Sequence, residues 1–543
     1  DSMEGIMKAA TDAAMVQKFG GGTGFALSKL RPKGDRIKTT HGVSCGPIEV
    51  LKTLSRVSSM ITQGGKRDGA NMAVMDVHHP DILEFINCKS VEGDIHNFNI
   101  SVGVTNDFME AVKAGIDYPL INPRTKEIVG KLDAKDVFSK MVYGAWRNGE
   151  PGMVFLDTIN KDNKVVSEYG EMIATNPCGE QPLLGNESCN LGSVNLANFF
   201  KSTDMARSSE PSLDWKVNVD WLKLDKTIRL ATRFLDNVID ANHYATPEIE
   251  EMTKSTRKIG LGIMGFADLL IQLRIGYDTE LGRFVGNYIM GFIRDIADNE
   301  SMRLANSRGV FPAWKNSDYV NSDRKLRNAC RLTVAPTGTI SMLADTSSGV
   351  EPTFALAWKK MNILEGETLY YANKYFERDA RDFEFYSEDL MEYISDGGSI
   401  QNRDDVPQWV KEVYTVAGDI TPEAHVLMQA AFQQYCDSGI SKTINFSNDA
   451  SIEDVYTAYL LAWEEGCKGI TVYRSGSREK EVLVKAEASQ NTIVESQSQL
   501  DFLDLVEQPV LVAGGECCAT PYHVEESGCV TCKSCGWSMC HIA

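Results

Sequence analysis

Extended and helical segments alternate from the start of this chain to about residue 474, and that alternation narrows the fold more than any other feature. The runs "NMAVMDV" (71–77), "NFNISVGV" (97–104) and "GITVYR" (469–474) read as strands. Residues 2–19 space Met3, Ile6, Met7, Ala10 and Ala14 at helical periodicity. Residues 47–61 set Val50, Leu51, Leu54, Val57 and Ile61 on one helical face. Between these helices lie a glycine-rich loop, a short strand and a basic loop in "GGGTGFALSKLRPKGD". Strands and helices taking turns over such a length predict an α/β fold, with a barrel as the natural closure. The 543 residues suffice for several domains, and 43% hydrophobic with 24% charged residues is an ordinary globular balance.

After Arg474 the composition changes. Residues 475–514 are polar and rich in Ser, Gln and Glu, which predicts a flexible linker to a cysteine-rich tail at 515–543. Thirteen cysteines, an odd number, are scattered along the main body and then crowd between Cys517 and Cys540. That pattern fits reduced, catalytic or metal-bound thiols in the cytoplasm, not a secreted disulfide framework. A net charge of −20 argues against nucleic acid or an anionic membrane as partner, while leaving room for a local cationic pocket. No apolar run reaches the roughly 18 residues that a membrane helix needs, and no signal peptide is evident.

Several motifs carry chemistry. In "NPCGEQ" (176–181), Asn, Pro and Gly suit the first, second and fourth corners of a β-turn, so Cys178 projects from the third. Asn176 and Glu180 flank that thiol, and Cys189 follows in "NESCNLG"; a buried loop cysteine is the plain alternative. In the tail, Cys529, Cys532 and Cys535 form overlapping C-x2-C pairs of zinc-knuckle spacing, with Cys517 or Cys518 available to complete a tetrahedral set. Cys535 and Cys540 form a C-x4-C pair suited to a thiol–disulfide shuttle, and Cys535 cannot serve both roles. "GLGIMG" (260–265) has the letters of a dinucleotide fingerprint, but a polar, helix-like stretch precedes it where a buried strand is required. Its glycines are expected to serve close helix packing. "APTGTISMLADTSSGVEP" (335–352) gathers small hydroxyl residues around glycine after the apolar "RLTV", as an anion cradle or a simple turn. "QGGKRDGANM" (63–72) is a glycine-flanked basic loop, with a solvated hairpin tip as the plain alternative.

In order along the chain, "NPCGEQPLLGNESCNLGSVNLANF", "RKIGLGIMGFADLL", "APTGTISMLADTSSGVEP", "SKTIN" and "GCKGITVYRSGSR" resemble the catalytic subunit of ribonucleotide reductase. The closer resemblance is to its adenosylcobalamin-dependent class II, from residue 1 to about 480 and again in the tail. The resemblance implies a ten-stranded α/β barrel with a central finger loop. It also implies that Cys178 forms a thiyl radical that removes the ribose 3′ hydrogen, with Glu180 taking the 3′-hydroxyl proton and Asn176 holding both in register. Cys189 matches one member of the reducing dithiol, whose partner the family places upstream of Asp1. The expectation is therefore an N-terminally incomplete sequence; Cys45 follows a different loop and is a poor substitute.

The same resemblance makes Pro336, Thr337, Gly338, Thr339, Ile340 and Ser341 the substrate-phosphate cradle and Gly22 a substrate contact. Asp1, Ser2 and Met3, with Arg31 and Lys38, match the site for a deoxynucleoside triphosphate or ATP effector, and Lys66 and Arg67 the loop that relays effector identity. Asp68 departs from the basic residue usual there. Residues 2–19 and 47–61 resemble the paired helices of a homodimer. Cys535 and Cys540 match a shuttle fed by a thioredoxin or glutaredoxin, which leaves Cys517, Cys518, Cys529 and Cys532 for zinc. Class I enzymes relay a radical through adjacent tyrosines, where this chain has Val472 and Tyr473. A radical generated in place from adenosylcobalamin is the preferred expectation, with diphosphates as substrates. The alternatives are a class I large subunit with a metal-radical partner, an NAD-dependent dehydrogenase, and a nucleic-acid-binding module in the tail.

Overall fold

The computed structural model describes residues 1–37, 41–63, 67–90, 95–201, 214–322, 324–363 and 367–477, and three short strands beyond residue 522. The chain divides into two compact units, 1–486 and 487–543. In the first unit, strands β1 (Thr23–Ala26), β2 (Asn71–Asp76), β3 (Phe98–Val104) and β4 (Gly152–Phe155) run parallel to one another. Strands β5 (Asn190–Asn195) and β6 (Ile259–Met264) form a second parallel pair, and β7 (Thr443–Phe446) and β8 (Gly469–Arg474) a third. β8 joins β4 antiparallel, giving a six-stranded sheet in the order β1-β2-β3-β4-β8-β7. Parallel bridges Leu261↔Leu332 and Val334↔Ile440 carry the pairing from β6 to the stretch entering β7. Two parallel blocks of opposite direction thus meet along β4 and β8, an α/β barrel architecture.

Helices cover the outside because parallel strands need crossovers and leave two apolar faces. Around the first block, α3 (Ala134–Asn148) and α7 (Ile452–Glu464) bury Phe138 and Tyr459 against Phe98 and Val102. Around the second, α4 (Trp221–Ala241), α5 (Glu280–Arg308) and α6 (Pro422–Gln433) bury Leu235, Ile289 and Phe432 against Ile259, Leu261 and Ile263. At the N-terminal end, α1 (Met3–Lys18) packs on α2 (Pro47–Ser59), close to the expected spans. Ser2 caps α1 by accepting from the Gly5 N–H at 3.1 Å. No helix among the described residues is long and apolar enough to cross a membrane.

One expectation is corrected. "IGLGIM" is itself strand β6, and its glycines do not serve helix packing. A Cβ on Gly262 would lie 2.3 Å from the Thr333 carbonyl oxygen, and one on Gly260 2.7 Å from Gln181 Nε2. These glycines let the neighbouring stave and the finger hairpin press against β6. In the second unit, strands at His523–Glu526, Cys529–Cys532 and Ser538–Cys540 form an antiparallel sheet.

Candidate active site

A short hairpin, Ala174–Thr175 paired with Pro182–Leu183, carries the "NPCGEQ" turn. The Gly179 N–H donates to the Asn176 carbonyl at 3.1 Å and Gly179 takes φ 82°, so the four residues form the expected turn with Cys178 at its third corner. The hairpin approaches β1 so closely that only glycine fits opposite it. A Cβ on Gly24 would fall 1.9 Å from the Thr175 oxygen, and one on Gly22 2.7 Å from the Pro177 ring. On the far side, a Gly439 Cβ would meet the Gly179 oxygen at 2.8 Å. Asn99 of β3 anchors the tip, donating from Nδ2 to the Pro177 carbonyl at 2.8 Å. Cys178, so held, is exposed and in no disulfide.

Glu180 is only 2% exposed. Its main-chain carbonyl accepts from the Gly439 N–H (2.8 Å) and from Thr333 Oγ1 (2.9 Å), which fixes the backbone between two staves. The Asn176 Oδ1 accepts from the Gln181 N–H at 2.9 Å, which leaves its amide NH2 for the Glu180 carboxylate. The other carboxylate oxygen, Oε2, is buried without a hydrogen-bond partner. Burial pushes the Glu180 carboxyl above its ordinary value, and the Asn176 hydrogen bond opposes that only in part. The result is a carboxyl poised for proton transfer, with an open acceptor position beside an exposed thiol.

Cys189 lies one residue before β5, and the β5–β6 register sets it beside Lys258. Burial raises its thiol well above the ordinary value; Cys330, Glu187 and Glu180 add to this and Lys258 opposes it. Lys258 Nζ donates to Glu187 Oε2 at 2.7 Å, so its charge is largely spent on that buried carboxylate. Cys330 lies on the other side of β6, where its carbonyl accepts from the Ile259 N–H at 3.0 Å. Two strand spacings separate Cys189 from Cys330, roughly 9 Å, beyond the reach of a disulfide.

The segment Pro336–Ser341 leaves the stave that braces Glu180. Val334 N–H donates to the Gly439 carbonyl, and four residues later the chain enters a short helix, Gly338–Leu343. Thr337 adopts φ 55°, rare for a β-branched residue, while its Oγ1 accepts from the Gly349 N–H at 2.7 Å. The first helical hydrogen bond is Ser341 N–H to the Thr337 carbonyl, so the N–H groups of Gly338, Thr339 and Ile340 lie ahead of it, where an anion is best received.

The other expected residues fall as follows. The structure brings Asp1, Ser2, Met3 and Arg31 together: Arg31 Nε donates to Asp1 Oδ2 at 2.9 Å beside the Ser2 cap. Lys38 and Lys66 lie outside the described residues, and Arg67 pairs with Gln63 in a two-stranded ribbon. Cys517, Cys518 and Cys535 also lie outside them. Backbone register places Cys529 opposite Cys540 and His523 opposite Cys532, so it does not separate a metal set from a shuttle pair. Sequence reasoning missed Asn99, Thr333, Lys258 and Glu187. Asn99 and Lys258 had a signal, being polar residues beside or within apolar strands.

A family model described as "Ribonucleotide reductase, barrel domain" matches residues 1–473. A vitamin B12-dependent ribonucleoside-diphosphate reductase of Thermoplasma acidophilum is 45% identical over 489 residues, covering 90% of this chain and 62% of that protein. One from Mycobacterium tuberculosis is 42% identical over 487 residues, covering 90% of this chain and 68% of that protein. The chain thus spans about two thirds of the length of these relatives. Among solved structures, the class Id ribonucleotide reductase alpha subunit of Actinobacillus ureae matches with a TM-score of 0.70 at 23% identity, covering 88% of this chain and 82% of that one. At that identity the likeness speaks for the fold, and it is the family model, running unbroken through the finger hairpin and both strand blocks, that decides kinship: the chain belongs to the ribonucleotide reductase family.

Proposed function

We propose that this chain is the catalytic barrel of an enzyme that reduces ribonucleoside diphosphates to 2′-deoxyribonucleotides by thiyl-radical chemistry, with adenosylcobalamin as radical source. The observation that carries this reading is the finger turn, which presents an exposed Cys178 thiol beside the buried, half-unpartnered Glu180 carboxyl. The names of the relatives at 42–45% identity support the cobalamin and the diphosphate. The donor set fits such a radical source, because the thiol that must give up a hydrogen atom is exposed whereas Cys330, Cys436 and Cys467 are buried. Adenosylcobalamin, when bound, supplies a carbon-centred radical by homolysis of its cobalt–carbon bond.

The chain's own residues then divide the work. Cys178, as a thiyl, takes the 3′ hydrogen of the ribose and later returns it. Glu180 accepts the 3′-hydroxyl proton through its open Oε2 while Asn176 holds the carboxylate in place, and the 2′-hydroxyl departs as water. Cys189 and a second thiol supply two electrons and two protons and end as a disulfide. Gly22, whose bare Cα makes room for the Pro177 ring, contacts the sugar, and the N–H groups and hydroxyls of Pro336–Ser341 receive the phosphates. Asp1, Ser2, Met3, Arg31 and Lys38 bind the dNTP or ATP effector, with Lys66 and Arg67 in the specificity loop. The tail delivers electrons from a thioredoxin-type protein through Cys535 and Cys540, in a reducing cytoplasm. The apolar exposure of Met3 and Met7 on α1 and of Phe19 just past its end supports a homodimer.

The test is direct. Protein given adenosylcobalamin, dithiothreitol and CDP should form dCDP with no second subunit. A requirement for an iron or manganese partner protein would overturn the cobalamin assignment.

A further inference from the structure

The stave entering β7 alternates Ile440, Lys442 and Ile444 on one face. Both isoleucines belong to the core between barrel and helices, and Lys442 is buried with them at 3% exposure. A lysine where the alternation calls for a third aliphatic residue is costly unless its charge is met. It is met by three groups: Lys442 Nζ donates to Glu351 Oε2 (2.8 Å), to His425 Nδ1 (2.9 Å) and to the Thr443 carbonyl (3.2 Å). His425, from α6, has its Nε2 3.2 Å from the Ala417 carbonyl, so that nitrogen carries the proton and Nδ1 accepts. Burial, with Lys442 alongside, depresses His425 to about 2, which keeps the ring neutral. Glu351 uses its other oxygen, Oε1, to accept from the Thr443 N–H at 2.7 Å.

Everything in this cluster converges on the end of one loop. Tyr277 OH donates to the Val350 carbonyl at 2.5 Å, and its ring lies 5.8 Å from Lys442 Nζ. The Glu351 N–H donates to the Ser348 carbonyl. That loop forms the back of the Pro336–Ser341 turn: the Gly349 N–H donates to Thr337 Oγ1, and Ser348 Oγ meets Ser341 Oγ at 2.6 Å. Its other end is held by Asp268 Oδ2, which accepts from Thr346 Oγ1 (2.8 Å) and the Ser347 N–H (3.0 Å). The strained φ of Thr337 therefore depends on a loop pinned at one end by the buried Asp268 carboxylate and at the other by Glu351, a quarter exposed but tied to the buried Lys442. Replacing a buried ion pair by aliphatic residues is often neutral for stability, so stability alone does not account for this one.

We propose that Lys442, acting through Glu351 and His425, is a positioning residue for the phosphates of the substrate. It sets the 346–351 loop and hence the aim of the Thr337–Ser341 turn. This rests on the reading of that turn as the phosphate cradle. The experiment compares wild type, Lys442→Met, Glu351→Gln and the double variant for kcat, KM and equilibrium affinity for CDP, with thermal unfolding alongside. Each single variant should raise KM and Kd for CDP about tenfold, roughly 1.4 kcal/mol, with kcat within about threefold. The double variant should be no worse than either single one, because the pair acts as a unit. Unchanged CDP affinity in a folded variant overturns the proposal, as does a parallel fall of kcat, affinity and unfolding temperature. If Lys442→Met fails to fold, Glu351→Gln decides alone, since it keeps an acceptor for the Thr443 N–H. Wild type that binds no CDP would remove the cradle reading itself, a distinct result.

Discussion

In the proposed reaction, Glu180 is the residue on which proton transfer turns. Its carboxyl is raised because burial penalises the charged form, and the hydrogen bonds from Asn176 and from the backbone do not compensate. Glu180→Gln keeps the shape but cannot accept the 3′-hydroxyl proton. Steady-state turnover should fall about 10²- to 10⁴-fold while CDP affinity, measured by calorimetry, changes little. The same shift has a stability signature. A carboxyl whose folded-state pKa lies above the unfolded one favours folding fully only below the ordinary value of 4.5, and loses that contribution as pH rises through the folded pKa. The glutamine variant should therefore unfold at a higher temperature than wild type near pH 8, with the gap closing toward pH 4. A gap that widens on acidification would contradict the burial argument.

The finger hairpin works as an element because the staves on either side make room for it. Gly22 and Gly24 lie on its β1 side and Gly439 on the other, each with a Cβ position already filled by hairpin atoms. Gly24→Ala should displace the hairpin, cost roughly 1–3 kcal/mol by overpacking, and abolish turnover; denaturant unfolding and the dCDP assay check both. An alanine variant with full activity would mean that the hairpin tolerates movement. Much at this scale was legible in the sequence. The turn chemistry of Asn176, Pro177 and Gly179 led directly to Cys178 at a corner, and helical periodicity placed α1 and α2 within two residues of their ends. The glycines of β6 were misjudged, because a helix-like stretch before them hid the fact that they belong to a strand. The buried partners of the site, Thr333 to Glu180 and Lys258 to Glu187, were not legible. They join residues far apart in sequence, and neither residue type announces its partner.

At the scale of the whole molecule, two parallel strand blocks set a finger hairpin at their centre, and α1 with α2 leaves apolar surface at one end. Met3 is 70% exposed and Phe19 71%. Replacing Met3 and Met7 with glutamate should convert a dimer to monomers in analytical ultracentrifugation, with the folded barrel retained; an unchanged dimer would place the interface elsewhere. The central claim concerns a single thiol. In D2O, protein given adenosylcobalamin and an effector should carry solvent deuterium through the Cys178 S–H group into the 5′ carbon of the cofactor's adenosyl group. Mass spectrometry of that group reads the exchange in wild type and in Cys178→Ser. The account predicts label in wild type and none in the serine variant; equal labelling in both would contradict it.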